Sequence, residues 1–450
     1  MRRNNLTRRQ AIVRTSAGVL GTLLGFSFKP FSISNGSQVR KLAINGGDKV
    51  HPGSWPQWPV WDTSAENGLL EMFRSGRWWR GNGEYVEEFE KKYAELMGAK
   101  RCLATASGTT ALITALQVMG VDAGDEVLVS PYTFIASYNV IFAHKALPVF
   151  VDSDPETFLL NPAKIEERIT ESTTAIIPVH IYGLPVDMDS VNAVARRHNL
   201  KVVEDACQAW LAEYRGKKTG TLGDLGCFSF QNSKHLAAGE GGAILGNDDD
   251  IIDMCHAYHN CGRPYGNMKR IPGNPHNGMN YRMQQSQAII LMSQMKRIEK
   301  DNEIRYQNAM YLDRKLKEIP GIIPYKLVNG ATRAVYHLYP FRYIKEEFNN
   351  IPKERFIRAL NAEGIPCSSG YGKQNKDGLI EEVLTSKGYR RIYSEARLKR
   401  WREENELPGN DMLVDQAVIF SQSMLLGSRS DMDDIVNAIT KIYQNRNSLL

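Results

Sequence analysis

One lysine in this chain stands in a setting suited to covalent chemistry. Lys234 lies within Gly223 to Asn247, GDLGCFSFQNSKHLAAGEGGAILGN, a run otherwise mostly apolar, small or hydroxylic. It follows a strand-like segment, Cys227–Phe230, and precedes Gly239-Glu240-Gly241-Gly242. Glycines there let the backbone turn sharply and come close to a neighbour. An ammonium held in such a place would lose part of its water, which lowers its pKa and makes it a nucleophile toward carbonyls. A lysine activated in this way is the Schiff-base partner of pyridoxal phosphate. The plainer reading is a lysine whose stem packs on the core while its head reaches solvent. The stretch alone leaves both open.

The elements around it narrow the choice. Residues 100–245 alternate short β-rich runs (Val127–Ser130, Leu147–Val151, Ala175–Val179, Lys201–Glu204, Gly226–Phe230) with helical segments (Gly108–Met119, Phe134–Ala143, Met188–His198). That alternation predicts an α/β fold with a mainly parallel sheet covered by helices on both faces. Ligands bind such sheets at the carboxyl ends of the strands, and the chemical residues fall there. Thr105-Ala106-Ser107-Gly108-Thr109-Thr110 opens a helix, where free backbone N–H groups and the dipole suit a phosphate; an ordinary Ser/Thr cap is the competing reading. Pro131-Tyr132-Thr133-Phe134 brings aromatic rings to the same edge. Glu204-Asp205-Ala206-Cys207-Gln208 ends another strand, with Asp205 placed to sit under a ring nitrogen or simply to cap a helix.

Beyond this region, Met283–Leu316 reads as one long helix, followed by a strand (Ala334–Tyr343), a helix (Lys353–Glu363) and a last helix (Asp431–Tyr443). That pattern suits a smaller α+β domain. The expected division is a leader over 1–41, a large domain over 42–298 and a small C-terminal domain over 299–450, since 450 residues are too many for one ordinary core.

The formal charge of +6 is misleading. Eight basic residues and no acidic one precede Asp48, so removing residues 1–41 takes the net charge from +6 to −2. A nearly neutral body gives no electrostatic case for nucleic acid. The leader itself has an order: Thr7-Arg8-Arg9-Gln10 and then a short, weakly apolar run, Ala17–Phe26, too short to span a membrane. It reads as a twin-arginine export segment with Ser32-Ile33-Ser34 as a poor cleavage site, or else as a basic tail on a cytoplasmic protein. The twin-arginine route carries folded proteins, which suits an enzyme that takes up a coenzyme before export. Six scattered cysteines contain no CxxC pair; Cys255 and Cys261 are close in sequence, but nothing requires a disulfide. Trp78 and Trp79, beside Arg77 and among glycines, read as a substrate-facing lip or as an interface anchor.

Taken together, the motifs resemble the DegT/StrS family of sugar aminotransferases, fold-type I enzymes that use pyridoxal phosphate. The matching stretches are Ser107-Gly108-Thr109-Thr110-Ala111-Leu112, Pro131-Tyr132-Thr133-Phe134, Pro178-Val179-His180-Ile181-Tyr182-Gly183, Glu204-Asp205-Ala206-Cys207-Gln208-Ala209, Phe228-Ser229-Phe230-Gln231-Asn232-Ser233-Lys234, Gly239-Glu240-Gly241-Gly242 and Asn280-Tyr281-Arg282-Met283. They run in order over about residues 42–443. The resemblance implies a large domain with a seven-stranded type of sheet and a role for each position. Lys234 would hold the coenzyme as a Schiff base and Asp205 would pair with its pyridine nitrogen. Gln208 would lie near the ring hydroxyl and Phe134 would stack on the ring. Ser107, Gly108, Thr109 and Ser229 would lie at the phosphate. Asn280 would reach the phosphate of the neighbouring subunit, because family members build each site across a homodimer.

The implied reaction is a ping-pong transfer of an amino group from an amino acid, Glu or Gln, to a keto-sugar or keto-cyclitol. Gln231, Ser75-Gly76-Arg77-Trp78-Trp79, Ser369-Gly370-Tyr371 and Leu425-Leu426-Gly427 look most like the glutamine:scyllo-inosose aminotransferase and aminohydroxybenzoate synthase branch. The chain departs from that branch after Tyr371, where Gly372-Lys373-Gln374-Asn375 replaces its usual Pro and Leu. Two other readings compete: a dehydratase or epimerase, and an exported carbohydrate-binding or sensory protein without turnover. Relatives that act as dehydratases carry His in place of the lysine, and a pure binding module has no use for a Schiff-base lysine.

Overall fold

The computed structural model describes residues 41–268 and 276–450. The twin-arginine segment and Ser32–Ser34 lie outside the described residues. The strands, in chain order, are β1 Arg101–Thr105, β2 Glu126–Val129, β3 Leu147–Phe150, β4 Thr173–Ile177, β5 Lys201–Asp205, β6 Glu213–Tyr214, β7 Lys217–Lys218, β8 Leu225–Ser229, β9 Gly242–Gly246, β10 Ile322–Pro324, β11 Ala331–Arg333, β12 Leu338–Tyr343, β13 Ser368–Ser369 and β14 Ala417–Ser421.

Seven of them form one sheet in the order β1-β9-β8-β5-β4-β2-β3. Strands β3, β2, β4, β5 and β8 pair in parallel, and β9 runs antiparallel to both of its neighbours, β8 and β1. All residues of β2, β3, β8 and β9 are buried, as expected of a sheet covered on both faces. The expected α/β fold with a mainly parallel seven-stranded sheet is therefore observed. The β-rich runs expected over residues 100–245 did not include β1 or β9; β9 carries a glycine at each end, which weakens any strand pattern.

The helices form for local reasons that also aim the site. Ser107 caps the helix Gly108–Val118: its hydroxyl accepts from Thr110 N, and the Thr110 hydroxyl accepts from Ser107 N. The helix Tyr85–Met97 buries Val86, Phe89, Tyr93, Ala94 and Met97, one apolar stripe at helical spacing.

The long helix expected over Met283–Leu316 is two helices, Gln285–Met295 and Ile298–Leu316. The break needs neither Gly nor Pro. Gln294 donates to Val60 O at 3.0 Å and Lys296 donates to Ser64 Oγ at 2.9 Å, so contacts with the N-terminal arm hold the chain where it turns.

After it comes a second sheet, β10-β12-β14-β13, antiparallel throughout, with the helices Lys353–Ala362 and Arg429–Gln444 beside it. The strand expected from Ala334 begins only at Leu338, because Val335 N donates instead to Gly183 O. That detour puts the His337 ring 5.9 Å from that of Trp210. Four further helices, between Gly378 and Gln416, were not foreseen. Cys255 and Cys261 are both free thiols. Among the described residues, no helix is long and apolar enough to cross a membrane.

Candidate active site

Four parallel strands end at one edge of the sheet, and each is followed by residues that line a single cavity of about 420 Å³. Ser107, Gly108 and Thr109 follow β1, Phe134 and Ser137 follow β2, Cys207 and Gln208 follow β5, and Lys234 follows β8. Asp205 and Ser229 are the last residues of their strands and line it too. Tyr371 and His337 close the cavity from the other side. Of the site residues singled out in the sequence, only Asn280 lies elsewhere. It is exposed and pairs with Asn260, away from this chain's cavity.

Lys234 sits on the turn between the adjacent antiparallel strands β8 and β9. Phe230 N donates to Gly241 O and Asn232 N to Gly239 O, and Lys234 N itself donates to Gln231 O. Gly239 has φ +79° and Gly241 φ +151°, so the turn needs residues without a Cβ. Trp58 on the N-terminal arm donates its indole N–H to Lys234 O at 2.9 Å, fixing the lysine backbone from outside. Burial lowers the pKa of the ammonium, while the Cys207 thiol and the Asp205 carboxylate oppose that shift. The neutral amine is therefore more accessible than on a solvated lysine.

Asp205 is buried and firmly oriented. Ser137 Oγ donates to Oδ2 at 2.7 Å, and Cys207 N donates to Oδ1 at 3.1 Å. Ser137 in turn shares a 2.7 Å hydroxyl contact with Thr133. Gln208 is held at both ends: Tyr182 N donates to its Oε1 at 2.9 Å, and its Nε2 donates to Tyr371 Oη at 2.8 Å. Tyr371 stacks on Tyr182 with centroids 5.5 Å apart. Burial pushes the Tyr371 hydroxyl up to about 12, so it stays protonated. The Gly108 backbone passes so close to its neighbours that a Cβ would stand 2.7 Å from Ser229 Cβ and 2.9 Å from Cys207 Sγ. Ser107 spends its hydroxyl on the cap, so the Ser/Thr cap reading holds for that residue. Phe134, 56% exposed, lies open at the mouth of the cavity.

Beneath the site, Glu204 is fully buried and accepts four hydrogen bonds, from His180 Nε2 (2.9 Å), Gly220 N (2.7 Å), Leu222 N (2.6 Å) and Gly223 N (2.6 Å). His180 Nδ1 accepts from Val186 N at 3.0 Å, so the imidazole carries its proton on Nε2. Sequence reasoning missed Ser137, Thr133, His337 and the anchoring role of Glu204. Ser137 had a readable signal, since it stands one helical turn from Thr133.

A lysine of lowered pKa, a carboxylate lining the same cavity, and a capped helix start form a set that fits a phosphorylated, carbonyl-bearing coenzyme. The fold and the site thus define a coenzyme-dependent transferase of the pyridoxal phosphate kind. Residues 62–390 match the DegT/DnrJ/EryC1/StrS aminotransferase family. The chain is 34% identical over 432 residues to the L-glutamine:2-deoxy-scyllo-inosose aminotransferase of Streptoalloteichus tenebrarius, covering 91% of this chain and 99% of that one. Its structure is similar to that of 3-amino-5-hydroxybenzoic acid synthase, with a TM-score of 0.76, 30% identity, and coverage of 87% and 99% of the two chains. It is also similar to NtdA of Bacillus subtilis with bound cofactor PMP, with a TM-score of 0.70, 26% identity, and coverage of 85% and 81%. The chain belongs to the DegT/DnrJ/EryC1/StrS aminotransferase family. It is a pyridoxal-phosphate-dependent aminotransferase.

Proposed function

We propose that this enzyme moves the amino group of L-glutamine onto a keto-cyclitol in a ping-pong reaction. The observation that carries the reading is the single cavity in which Lys234 faces Asp205, Gln208 and the start of the helix Gly108–Val118. The glutamine and cyclitol specificities of the relative from Streptoalloteichus tenebrarius supply the substrate classes.

When bound, pyridoxal phosphate supplies the electron sink for amino transfer. Asp205 would keep the ring nitrogen protonated, with Ser137 and the Cys207 N–H holding its carboxylate in orientation. The Gly108 and Thr109 amides and the Ser229 hydroxyl would hold the phosphate. Gln208, clamped at both ends, would lie near the ring hydroxyl, and Phe134 would stack on the ring. Lys234 Nζ would hold the coenzyme, and its free amine would take a proton from the donor's α-carbon.

A half-reaction screen tests the assignment. The holoenzyme is loaded with glutamine or glutamate, and recovery of the coenzyme's original absorbance is followed across keto-cyclitols and nucleotide-linked keto-sugars. Recovery with a keto-cyclitol after loading by glutamine is the expected result. Recovery with keto-sugars alone would replace the acceptor assignment.

Two further readings belong with this one. The Arg8-Arg9 leader directs export, supported by its basic residues and the weakly apolar run that follows them. Replacing both arginines with lysine is expected to keep a tagged protein in the cytoplasm; undiminished export would remove the twin-arginine reading. The enzyme also acts as a homodimer in which Asn280 reaches the partner's phosphate site. The support is a set of exposed apolar side chains on one stretch, Leu70, Phe73, Trp78 and Trp79, each about half accessible in the single chain. Trp78→Ser with Phe73→Ser should convert the dimer to monomer in light scattering, and an unchanged mass would place the interface elsewhere.

A further inference from the structure

A ping-pong site must accept two substrates in turn, and here they differ in charge. The amino-acid donor carries an α-carboxylate, whereas a keto-cyclitol carries no charge. Among the described residues lining the cavity, Lys234 is the only cation, and it is committed to the coenzyme. A carboxylate entering there needs another positive group.

One is close enough for its charge to be felt by His337, a residue of the cavity lining. Arg305, on the helix Ile298–Leu316, is completely buried. Its Nε donates to Gln422 Oε1 and its Nη1 to Asn302 Oδ1, both at 2.9 Å and both neutral acceptors. Its Nη2 has no hydrogen-bond partner, and the guanidinium carbon stands 5.1 Å from the centroid of the Trp58 ring. The carboxylate that most offsets its charge, Asp301, is already bonded to Arg297 at 2.7 Å. A guanidinium buried without a carboxylate of its own is costly to keep.

Three more side chains gather beside it. His235 follows Lys234 in the chain, His337 lines the cavity, and the Lys234 ammonium stands 5.9 Å from the centroid of the Trp210 ring. The ring centroids stand 5.2 Å apart for Trp210–His235, 5.9 Å for Trp210–His337 and 6.0 Å for His235–His337. Trp210 Nε1 and Nδ1 of His337 are buried without a hydrogen-bond partner. Buried polar groups are rarely left so, and a concentration of them beside a reactive lysine calls for a ligand. Burial holds both imidazoles well below the usual histidine range, so they are neutral and each keeps one N–H to donate. Arg305, though lowered to about 9 by burial, is still charged at neutral pH.

We propose that this cluster recognises the α-carboxylate of the amino-acid donor, with His337 touching it and Arg305 supplying the attracting charge from behind. The inference rests on the aminotransferase reading above. It explains how one cavity holds an anionic donor and an uncharged acceptor: the cation stands back from the space the acceptor occupies and is felt only by a charged group.

The test compares L-glutamine with its uncharged α-amide in the donor half-reaction of the reconstituted holoenzyme, for the wild type and for Arg305→Gln, His337→Asn and Arg305→Lys. Binding of glutarate, which has carboxylates and no amine, is measured in parallel by equilibrium dialysis. Arg305→Gln and His337→Asn should each raise the KM for glutamine by about ten- to hundredfold. In Arg305→Gln, reaction of the α-amide and recovery by the acceptor should be unchanged, and Arg305→Lys should restore part of the preference for the charged donor. Glutarate binding should weaken in step with the KM for glutamine. Equal losses for glutamine, α-amide and acceptor would make the cluster merely structural and overturn the proposal, as would glutarate binding indifferent to both variants. Wild-type enzyme that binds glutarate through Arg305 yet takes no amino group from glutamine or glutamate would refute the functional reading and leave the carboxylate site standing.

Discussion

Lys234→Ala protein is expected to fold normally and to show no measurable amino transfer. The side chain lies on a turn held by backbone bonds (Phe230 to Gly241, Asn232 to Gly239), none of which uses its amine. Removing it therefore spares the fold while taking away both the covalent anchor and the group that moves the proton. Proton transfer alone accounts for about 10²–10⁴ in rate, and loss of the anchor adds to that. The same lysine sets a pH dependence. Only the neutral amine attacks the coenzyme's aldehyde, and burial lowers its pKa. Uptake of coenzyme by the apoprotein should therefore accelerate with rising pH, and do so at lower pH than for a solvated lysine. Stopped-flow absorbance with wild-type and Lys234→Ala apoprotein checks both points. An alanine variant with wild-type turnover would remove Lys234 from the chemistry.

The largest expected stability effect is at Glu204. Its two oxygens accept from His180 and from the loop amides of Gly220, Leu222 and Gly223. Glu204→Gln removes the charge and points two amide hydrogens at a shell made only of donors. Breaking a buried charged interaction of this kind costs about 3–5 kcal/mol. The damage should also reach the site, because Asp205 is the next residue and is tied by backbone bonds to Pro178 and His180. Urea unfolding and coenzyme affinity, measured on the same preparation, should fall together. A loss of stability below about 1 kcal/mol would mean that the shell relaxes and Glu204 anchors little.

Much of the site could be read from the chain because its parts follow strands in order. Lys234, Asp205, Gln208 and Ser229 each stand at or just after a strand whose apolar run announces it, so local pattern and topology together predict their meeting. His337 was out of reach for the opposite reason: it belongs to the second sheet's surroundings and reaches the cavity through a detour, Val335 bonding to Gly183. Tyr371 was marked by the resemblance alone, and its stacking on Tyr182 was not legible. No local periodicity encodes such contacts. The split at Lys296–Arg297 was hidden likewise, because the contacts with Val60 and Ser64 that hold it come from far away in the chain. The fold class was legible from alternation alone; the antiparallel β9 was not, because glycines blur its pattern.

The clamp on Gln208 has a consequence for dissecting the molecule. The tyrosine that grips its amide is 163 residues further along the chain. Gly370, just before that tyrosine, passes so close to Tyr132 that an added Cβ would lie 1.9 Å from the hydroxyl oxygen. A fragment ending after the seven-stranded sheet would keep the nucleophile and the acid opposite it, yet leave Gln208 free to swing. Vitamin B6 loading would then become a gauge of whether the distal third of the polypeptide has docked. A split version of the enzyme should hold its coenzyme firmly only when both pieces are supplied.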